Sequence, residues 1–139
     1  MIKAVIDANV WIGAVAANGV CRSVIEAFKQ DLFTVIYPTH LLSELSDVFQ
    51  RRKFKHINPD LTSELLRLIQ LKAILISIPP EYSPSVSLDP KDNPYLACAY
   101  IANCDFIVTG DEKHLLCLES YEQTKIISPA QFLNILKQK

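Results

Sequence analysis

The sequence has only three glycines among its 139 residues, and this scarcity excludes two common kinds of phosphate site. A Walker A loop and a GxGxxG turn both need closely spaced glycines that let the backbone approach a phosphate. Neither can be built from Gly13, Gly19 and Gly110. The chain also lacks a GxSxG motif and a paired Cys and His arrangement, so the common nucleophilic hydrolases are excluded as well.

Cysteine and histidine spacing typical of a metal or redox centre is also missing. No CxxC pair occurs among the four cysteines, which are Cys21, Cys98, Cys104 and Cys117. We therefore expect reduced, buried thiols in a cytosolic protein. The three histidines, His40, His56 and His114, share no metal spacing. His114 follows Asp111 closely enough to approach a bound phosphate, but we expect it at the surface.

Long apolar runs and a charge excess are absent too. No run approaches the roughly 18 apolar residues that indicate a membrane-spanning helix, and Asp7 and Asn9 interrupt the only stretch that resembles a secretion signal. We expect a cytoplasmic protein with no membrane segment. The 14 basic and 15 acidic side chains give a net charge of −1, so a nucleic acid must be held by a local patch.

Short apolar, β-branched runs alternate with helical patterns along the whole chain. The runs at 2–6, 32–37, 73–78, 106–109 and 125–127 predict strands, and helices are predicted between them and after Pro129. Asn9 and Thr39 are predicted helix N-caps, and the connection holding Pro79, Pro80, Pro84 and Pro90 is predicted to be irregular. The pattern predicts a single α/β domain over 1–139, a three-layer sandwich around a mainly parallel sheet of about five strands.

Four acidic residues are candidates for one site at an edge of this sheet. Asp7 and Asp111 each follow an apolar strand, Glu44 lies within a helix and Asp92 lies at a helix start. Two carboxylates about 4 Å apart repel by roughly 4 kcal/mol at an effective dielectric constant near 20, so such a cluster is favoured when it holds a cation. Oxygen ligands suit Mg²⁺ or Mn²⁺ and the hydrolysis of a phosphodiester. The alternative for each acid is a cap or a surface charge, and Asp92 is well placed to cap its helix.

These motifs, taken in order, resemble the PIN-domain nucleases over essentially the whole chain. The resemblance is carried by Asp7, Ala8 and Asn9 after a strand, by Glu44, by Asp92 before Leu96, Ala97 and Ala99, and by Thr109, Gly110 and Asp111. It is closest to the VapC-like toxin components of toxin-antitoxin modules, in which Asp, Pro, two variable residues and Asn precede the alanine-rich helix. Here that motif is formed by Asp89, Pro90, Lys91, Asp92 and Asn93.

The resemblance implies a metal-dependent endoribonuclease that hydrolyses single-stranded RNA with Mg²⁺ or Mn²⁺. Its acids would be Asp7, Glu44, Asp92 and Asp111, supported by Asn9 and Thr109, with Asp89 as the rival of Asp92. Toxins of this kind are often dimers that a small antitoxin protein neutralises. The alternative is a non-catalytic PIN-like module that binds RNA or a protein through a vestigial acidic pocket.

One basic cluster is a candidate for contact with RNA phosphates. It consists of Arg51, Arg52, Lys53, Lys55 and His56, and either Phe54 or Trp11 could stack on a base. The competing interpretation is structural, because cations at a helix C-terminus complement the helix dipole and both aromatic residues suit a core.

Overall fold

The strands of the protein form where the sequence has short apolar, β-branched runs, and the helices form between them. The computed structural model describes residues 1–51, 55–79 and 92–138. Its strands are β1 (Lys3–Ile6), β2 (Thr34–Pro38), β3 (Ile74–Ile76), β4 (Phe106–Val108), β5 (Ser120–Tyr121) and β6 (Thr124–Ile127). Its helices are α1 (Ala8–Ala16), α2 (Val20–Lys29), α3 (Thr39–Phe49), α4 (Pro59–Lys72), α5 (Asn93–Ile101) and α6 (Pro129–Lys137), with a short 3₁₀ turn at Leu116–Leu118.

The strands form one sheet in the order β3-β2-β1-β4-β6-β5. All neighbouring pairs are parallel except β5 and β6, which form an antiparallel hairpin at one edge. The chain builds the sheet outward from β1 through β2 to β3, and then crosses back to place β4 on the other side of β1. The predicted three-layer α/β/α sandwich with a mainly parallel sheet is confirmed, and β5 is an addition of two residues.

A continuous set of aromatic rings fills the core around the central strands. The Trp11 ring lies edge-on to both Phe28 and Tyr37, with ring centroids 5.8 and 6.2 Å away. Its indole N–H donates to the Ile6 carbonyl over 3.1 Å, and its side chain is fully buried. Because a buried ring cannot stack on a base, the core interpretation of Trp11 is the correct one. Phe54, the other candidate, lies outside the described residues.

Both predicted N-caps at the beginning of helices were wrong by one or two positions. Helix α1 begins at Ala8 with Asp7 in the cap position, so Asn9 lies inside the helix. Helix α3 begins at Thr39 itself, after Pro38. The strands therefore pass into the following helices with no intervening loop, which a search for capping residues does not anticipate. The proline-rich connection lies mostly at 80–91, outside the described residues.

The cysteines are all reduced, but only two of them are buried. Cys98 and Cys104 are buried in the core, Cys21 is half-buried and Cys117 is exposed. The prediction of buried thiols was therefore wrong for Cys117. In the described part of the chain, no helix combines the length and the apolar character that crossing a membrane requires.

Candidate functional site

The acidic site lies where the carboxyl ends of β1 and β4 meet. The register pairs Ile6 with Val108, so Asp7 and Thr109 are the next residues along two neighbouring parallel strands. The Asp7 backbone N–H donates to the Val108 carbonyl over 3.0 Å, which holds Asp7 against the end of β4. Because the chain turns from one half of the sheet to the other between β1 and β4, this is the crevice in which open α/β folds bind ligands.

The hydroxyl group of Thr109 connects the two strand-end acids. Thr109 Oγ1 donates to Asp7 Oδ2 over 2.8 Å and accepts a hydrogen bond from the backbone N–H of Asp111 over 3.0 Å. Its own backbone N–H donates to the Ile127 carbonyl over 3.0 Å, and the residue is fully buried. A single fully satisfied hydroxyl therefore sets the distance between Asp7 and the Asp111 backbone.

Asp7 is one of the few buried polar residues in the described part of the chain. The residue is only 3% exposed, and this burial raises the pKa of its carboxyl group above the usual 3.8. The hydrogen bond from Thr109 and the backbone amides at the start of α1 act to lower the pKa, whereas the nearby Asp111 carboxylate acts to raise it. The net effect is a carboxylate whose negative charge is costly in the absence of a cation.

Asp92, Asp111 and His114 form a compact group beside Asp7 and Thr109. One ligand atom from each lies within 4.8 Å of the other two. Asp92 occupies the N-cap position of α5 and is buried, but its side chain makes no capping hydrogen bond. The alternative interpretation of Asp92 as the cap of its helix is therefore not supported. Asp89, the rival of Asp92, lies outside the described residues.

Asp111 is held by the turn that follows β4. The His114 backbone N–H donates to Asp111 Oδ1 over 3.1 Å, and His114 Nδ1 lies 3.1 Å from Asp111 Oδ2. Burial acts to raise the pKa of Asp111, but the contacts with the His114 backbone and ring and with the Asp92 carboxyl outweigh it, so the pKa lies below its usual value. Asp111 is thus more readily ionised than Asp7.

Glu44 is less closely integrated into the site than the other predicted acids. It is exposed on α3 and is not one of the three grouped residues. Its charge and that of Asp7 both act on the buried Tyr37 hydroxyl, whose pKa is raised mainly by burial and also by these two carboxylates, against a lowering hydrogen bond with Tyr95. Glu44 therefore lies on the same side of the sheet as Asp7. Asn9, predicted as a supporting residue, is exposed in the first turn of α1.

The positions of two residues beside the acids, His114 and Tyr95, were not predicted from the sequence. His114 is half-buried against Asp111, where a surface position was expected. Tyr95, buried on α5, uses its hydroxyl oxygen to accept the backbone N–H of Ala8 over 3.1 Å, directly beside Asp7. The three-residue spacing from Asp111 to His114 was a usable signal. Nothing in the sequence pairs Tyr95 with Ala8, because 87 residues separate them.

The described members of the basic cluster lie past the C-terminal end of α3. Arg51 and Lys55 are exposed beyond the C-terminal end of α3, while Arg52 and Lys53 lie outside the described residues. Helix α3 begins at the sheet edge that carries Asp7, and its 11 residues span about 16 Å at 1.5 Å per residue. Arg51 therefore lies about a helix length from the start of α3.

Comparison with known proteins identifies the family and supports the fold. A model of the PIN domain matches residues 3–113. No curated protein sequence matches significantly. The fold is similar to a chain of VapBC2 from Rickettsia felis, solved bound to a DNA fragment from their promoter, with 12% identity over 91% of this chain and 98% of the other and a TM-score of 0.62. PAE2754 from Pyrobaculum aerophilum gives 16% identity over 99% of this chain and 91% of the other, with a TM-score of 0.66. Because the PIN model covers most of the chain and its acidic positions, the protein belongs to the PIN-domain family.

Proposed function

We propose that this protein is a metal-dependent endoribonuclease that hydrolyses phosphodiester bonds of single-stranded RNA. The observation that carries the proposal is the group of Asp92, Asp111 and His114 ligand atoms within 4.8 Å of one another, next to buried Asp7 at the switch point of a PIN-domain sheet. In this proposal Asp7, Glu44, Asp92 and Asp111 are the site acids.

The chemistry of the donor atoms fits Mg²⁺ or Mn²⁺. Carboxylate oxygens are the ligands that both ions prefer, and several acids around one crevice leave space for bound water. Two carboxylates within 4.8 Å of each other repel by about 3 kcal/mol or more at an effective dielectric constant of 20, which a divalent cation offsets. When bound, such an ion stabilises negative charge on a phosphate and makes water a better nucleophile at neutral pH.

Hydrogen bonds from the surrounding residues align two of the acids. Thr109 directs one Asp7 oxygen through its hydroxyl, and the same hydroxyl holds the backbone of Asp111. The His114 backbone fixes the other acid by donating to Asp111 Oδ1. In this arrangement the rigid strand ends hold Asp7 and Asp111 in place before RNA arrives, so little reorganisation is needed when a phosphate binds.

Glu44 completes the acid set from a more mobile position. As an exposed side chain on α3 it has rotamer freedom that Asp7 lacks. We propose that it closes the open side of the site when metal and RNA are bound. Asn9, exposed beside Asp7 at the start of α1, contributes an amide that can contact the substrate or a bound water.

RNA is held by local contacts, because the net charge of −1 gives no general attraction. We propose that Arg51, Arg52, Lys53 and Lys55 bind phosphates upstream or downstream of the cleaved bond. Arg51 lies about 16 Å from the start of α3, a distance that an extended RNA strand can span between a bound phosphate and the cleaved bond. Such contacts position the backbone and carry no sequence information.

Biological context is proposed from the similar structures. One of them comes from a complex named VapBC2, and we propose that this chain is likewise the toxin component of a cytoplasmic toxin-antitoxin module. A cognate antitoxin protein and a homodimer belong to the same proposal. Co-expression with the product of the adjacent reading frame, followed by purification of an intact complex, tests this part separately from catalysis.

The test of activity uses purified protein and a labelled single-stranded RNA. We expect cleavage with Mn²⁺ or Mg²⁺, none in EDTA, and loss of cleavage in Asp7→Asn and Glu44→Gln. Asp47→Asn is the matched control, because Asp47 is another exposed acid on α3, and it should retain activity. Cleavage in EDTA or by Asp7→Asn would refute the proposal. Binding of RNA without cleavage by the wild type would indicate the non-catalytic module instead.

A further inference from the structure

We propose that His114 supplies a nitrogen ligand to the metal centre, and that the centre therefore binds Mn²⁺ in preference to Mg²⁺. This rests on the proposed function only in taking the acidic site to hold a divalent ion. The observation behind it is that the three side chains with mutually close ligand atoms are two aspartates and one imidazole, Asp92, Asp111 and His114.

The position of the imidazole is set by the backbone. The His114 N–H donates to Asp111 Oδ1 over 3.1 Å, so the turn that follows β4 brings the histidine back over the carboxylate that precedes it. The ring Nδ1 then lies 3.1 Å from Asp111 Oδ2, and the side chain is 35% exposed. A ring that contacts Asp111 through Nδ1 and is partly open to solvent can contribute a nitrogen without a large rearrangement.

A nitrogen ligand changes which ion the site prefers. Mg²⁺ binds oxygen almost exclusively and keeps a rigid octahedral shell of carboxylates and water. Mn²⁺ also prefers oxygen ligands and the same geometry, but as a first-row transition ion it accepts an imidazole ligand more readily than Mg²⁺ does. Replacing one oxygen of an acidic site by an imidazole nitrogen therefore favours Mn²⁺ over Mg²⁺. Glu44 and Asp7 add oxygen ligands that either ion accepts.

A different role for His114 would leave the preference unchanged. If the ring served only to orient Asp111 through a hydrogen bond, the ion would contact oxygen atoms alone, as in a site built entirely from carboxylates. The same holds if the ring contacted a substrate phosphate. The discriminating measurement is therefore whether a histidine nitrogen is bonded to the metal in the absence of RNA.

The experiment measures metal binding directly, without substrate. Mn²⁺ is added to the metal-free full-length chain, and pulsed electron paramagnetic resonance is used to detect nitrogen hyperfine coupling. Calorimetric titrations give the Kd for Mn²⁺ and for Mg²⁺. We expect nitrogen coupling in the wild type and its loss in His114→Asp, which restores an all-oxygen donor set. Loss of the His114 nitrogen should lower the ratio of the Mg²⁺ Kd to the Mn²⁺ Kd about tenfold. Changes in residues that only support a metal's ligands already alter metal affinity by about 10–100-fold.

His56→Asn is the matched control, because His56 is exposed in the turn before α4 and is not part of the metal group. It should keep both the nitrogen coupling and the Mn²⁺ preference. A wild-type spectrum without nitrogen coupling overturns the inference whether or not the variant folds, and so does an unchanged preference in His114→Asp. The proposed function fails by a different result: RNA that remains uncut although Mn²⁺ is bound with nitrogen coupling.

Discussion

The hydroxyl of Thr109 should contribute substantially to the free energy of unfolding through its two hydrogen bonds at the acidic site, and Thr109→Val tests this. Valine has nearly the same shape as threonine but cannot donate to Asp7 or accept the Asp111 N–H. A hydrogen bond to a charged group contributes about 1.5–3 kcal/mol, and the hydrogen bond from the Asp111 N–H is only partly buried, so water can replace the lost acceptor. We therefore expect Thr109→Val to lower the free energy of unfolding by about 2–3 kcal/mol.

The effect should depend on pH with a defined sign. Burial raises the folded-state pKa of Asp7 above 3.8, so Asp7 destabilises the fold as it ionises, and the stability present below pH 3.8 is lost as pH rises through the folded-state pKa. Removing the Thr109 hydroxyl raises that pKa further. The penalty of Thr109→Val should thus be largest near pH 8 and should shrink as the pH is lowered towards 4.

Urea unfolding in EDTA at both pH values measures this prediction. Thr109→Ser is the matched control, because it keeps the hydroxyl and should cost only about 1 kcal/mol for the lost methyl group. A double-mutant cycle with Asp7→Asn should reduce the Thr109→Val penalty, since the charge that the hydroxyl stabilises is gone. Equal losses in the valine and serine variants, or no coupling to Asp7, would refute the reasoning.

Two further predictions concern residues on and near α5. Tyr95→Phe removes the acceptor for the Ala8 N–H and should lower the free energy of unfolding by about 1–2 kcal/mol and reduce RNA cleavage, measured by urea unfolding and by initial rates. Unchanged values for both would show that the hydroxyl does not position the start of α1. A thiol reagent near pH 8 should label exposed Cys117 first, because burial raises the pKa of Cys104 to about 11 and that of Cys98 still further. Peptide mapping by mass spectrometry identifies the labelled residue, and rapid native-state labelling of Cys98 or Cys104 would contradict this expectation.

The sheet was predictable because its strands are short, buried and bounded by polar residues. Asp7 and Thr109 follow continuous apolar runs, and the rule that parallel strands end at one edge is enough to bring them together. The end of α5 was predictable as well: Asn103 adopts a positive φ of 56°, and the Cys104 N–H returns to the Ala99 carbonyl, as in a Schellman motif.

The hairpin between β5 and β6 could not be predicted in the same way. Its two-residue turn consists of Glu122 and Gln123, and Glu122 adopts a positive φ of 53°. Such turns usually have glycine or asparagine where φ is positive, and neither occurs here. Without a glycine or asparagine in the turn, the sequence does not indicate the two-residue strand β5. Similarly, the contact between Tyr95 and Ala8 depends on tertiary packing, which local patterns do not encode.

Two of the acids occupy N-cap positions but do not cap their helices in the way that the N-cap residues of α4 and α6 do. Asn58 and Ser128 occupy N-cap positions of α4 and α6, and both side chains accept backbone N–H groups there, with a complete capping box at Ser128. Asp7 and Asp92 occupy the same position in α1 and α5, yet neither makes a capping hydrogen bond. A lost cap costs about 1 kcal/mol, so Asp92 forgoes about that much helix stabilisation, whereas the Ala8 and Asn9 amides still interact with the Asp7 carboxylate. Instead, the Asp7 side chain accepts a hydrogen bond from Thr109, and the Asp92 side chain lies beside Asp111 and His114. A polar residue that forgoes its local role at Asp92, together with a buried acid at the strand end at Asp7, is typical of a functional site and supports our proposal that this sheet edge binds a cation.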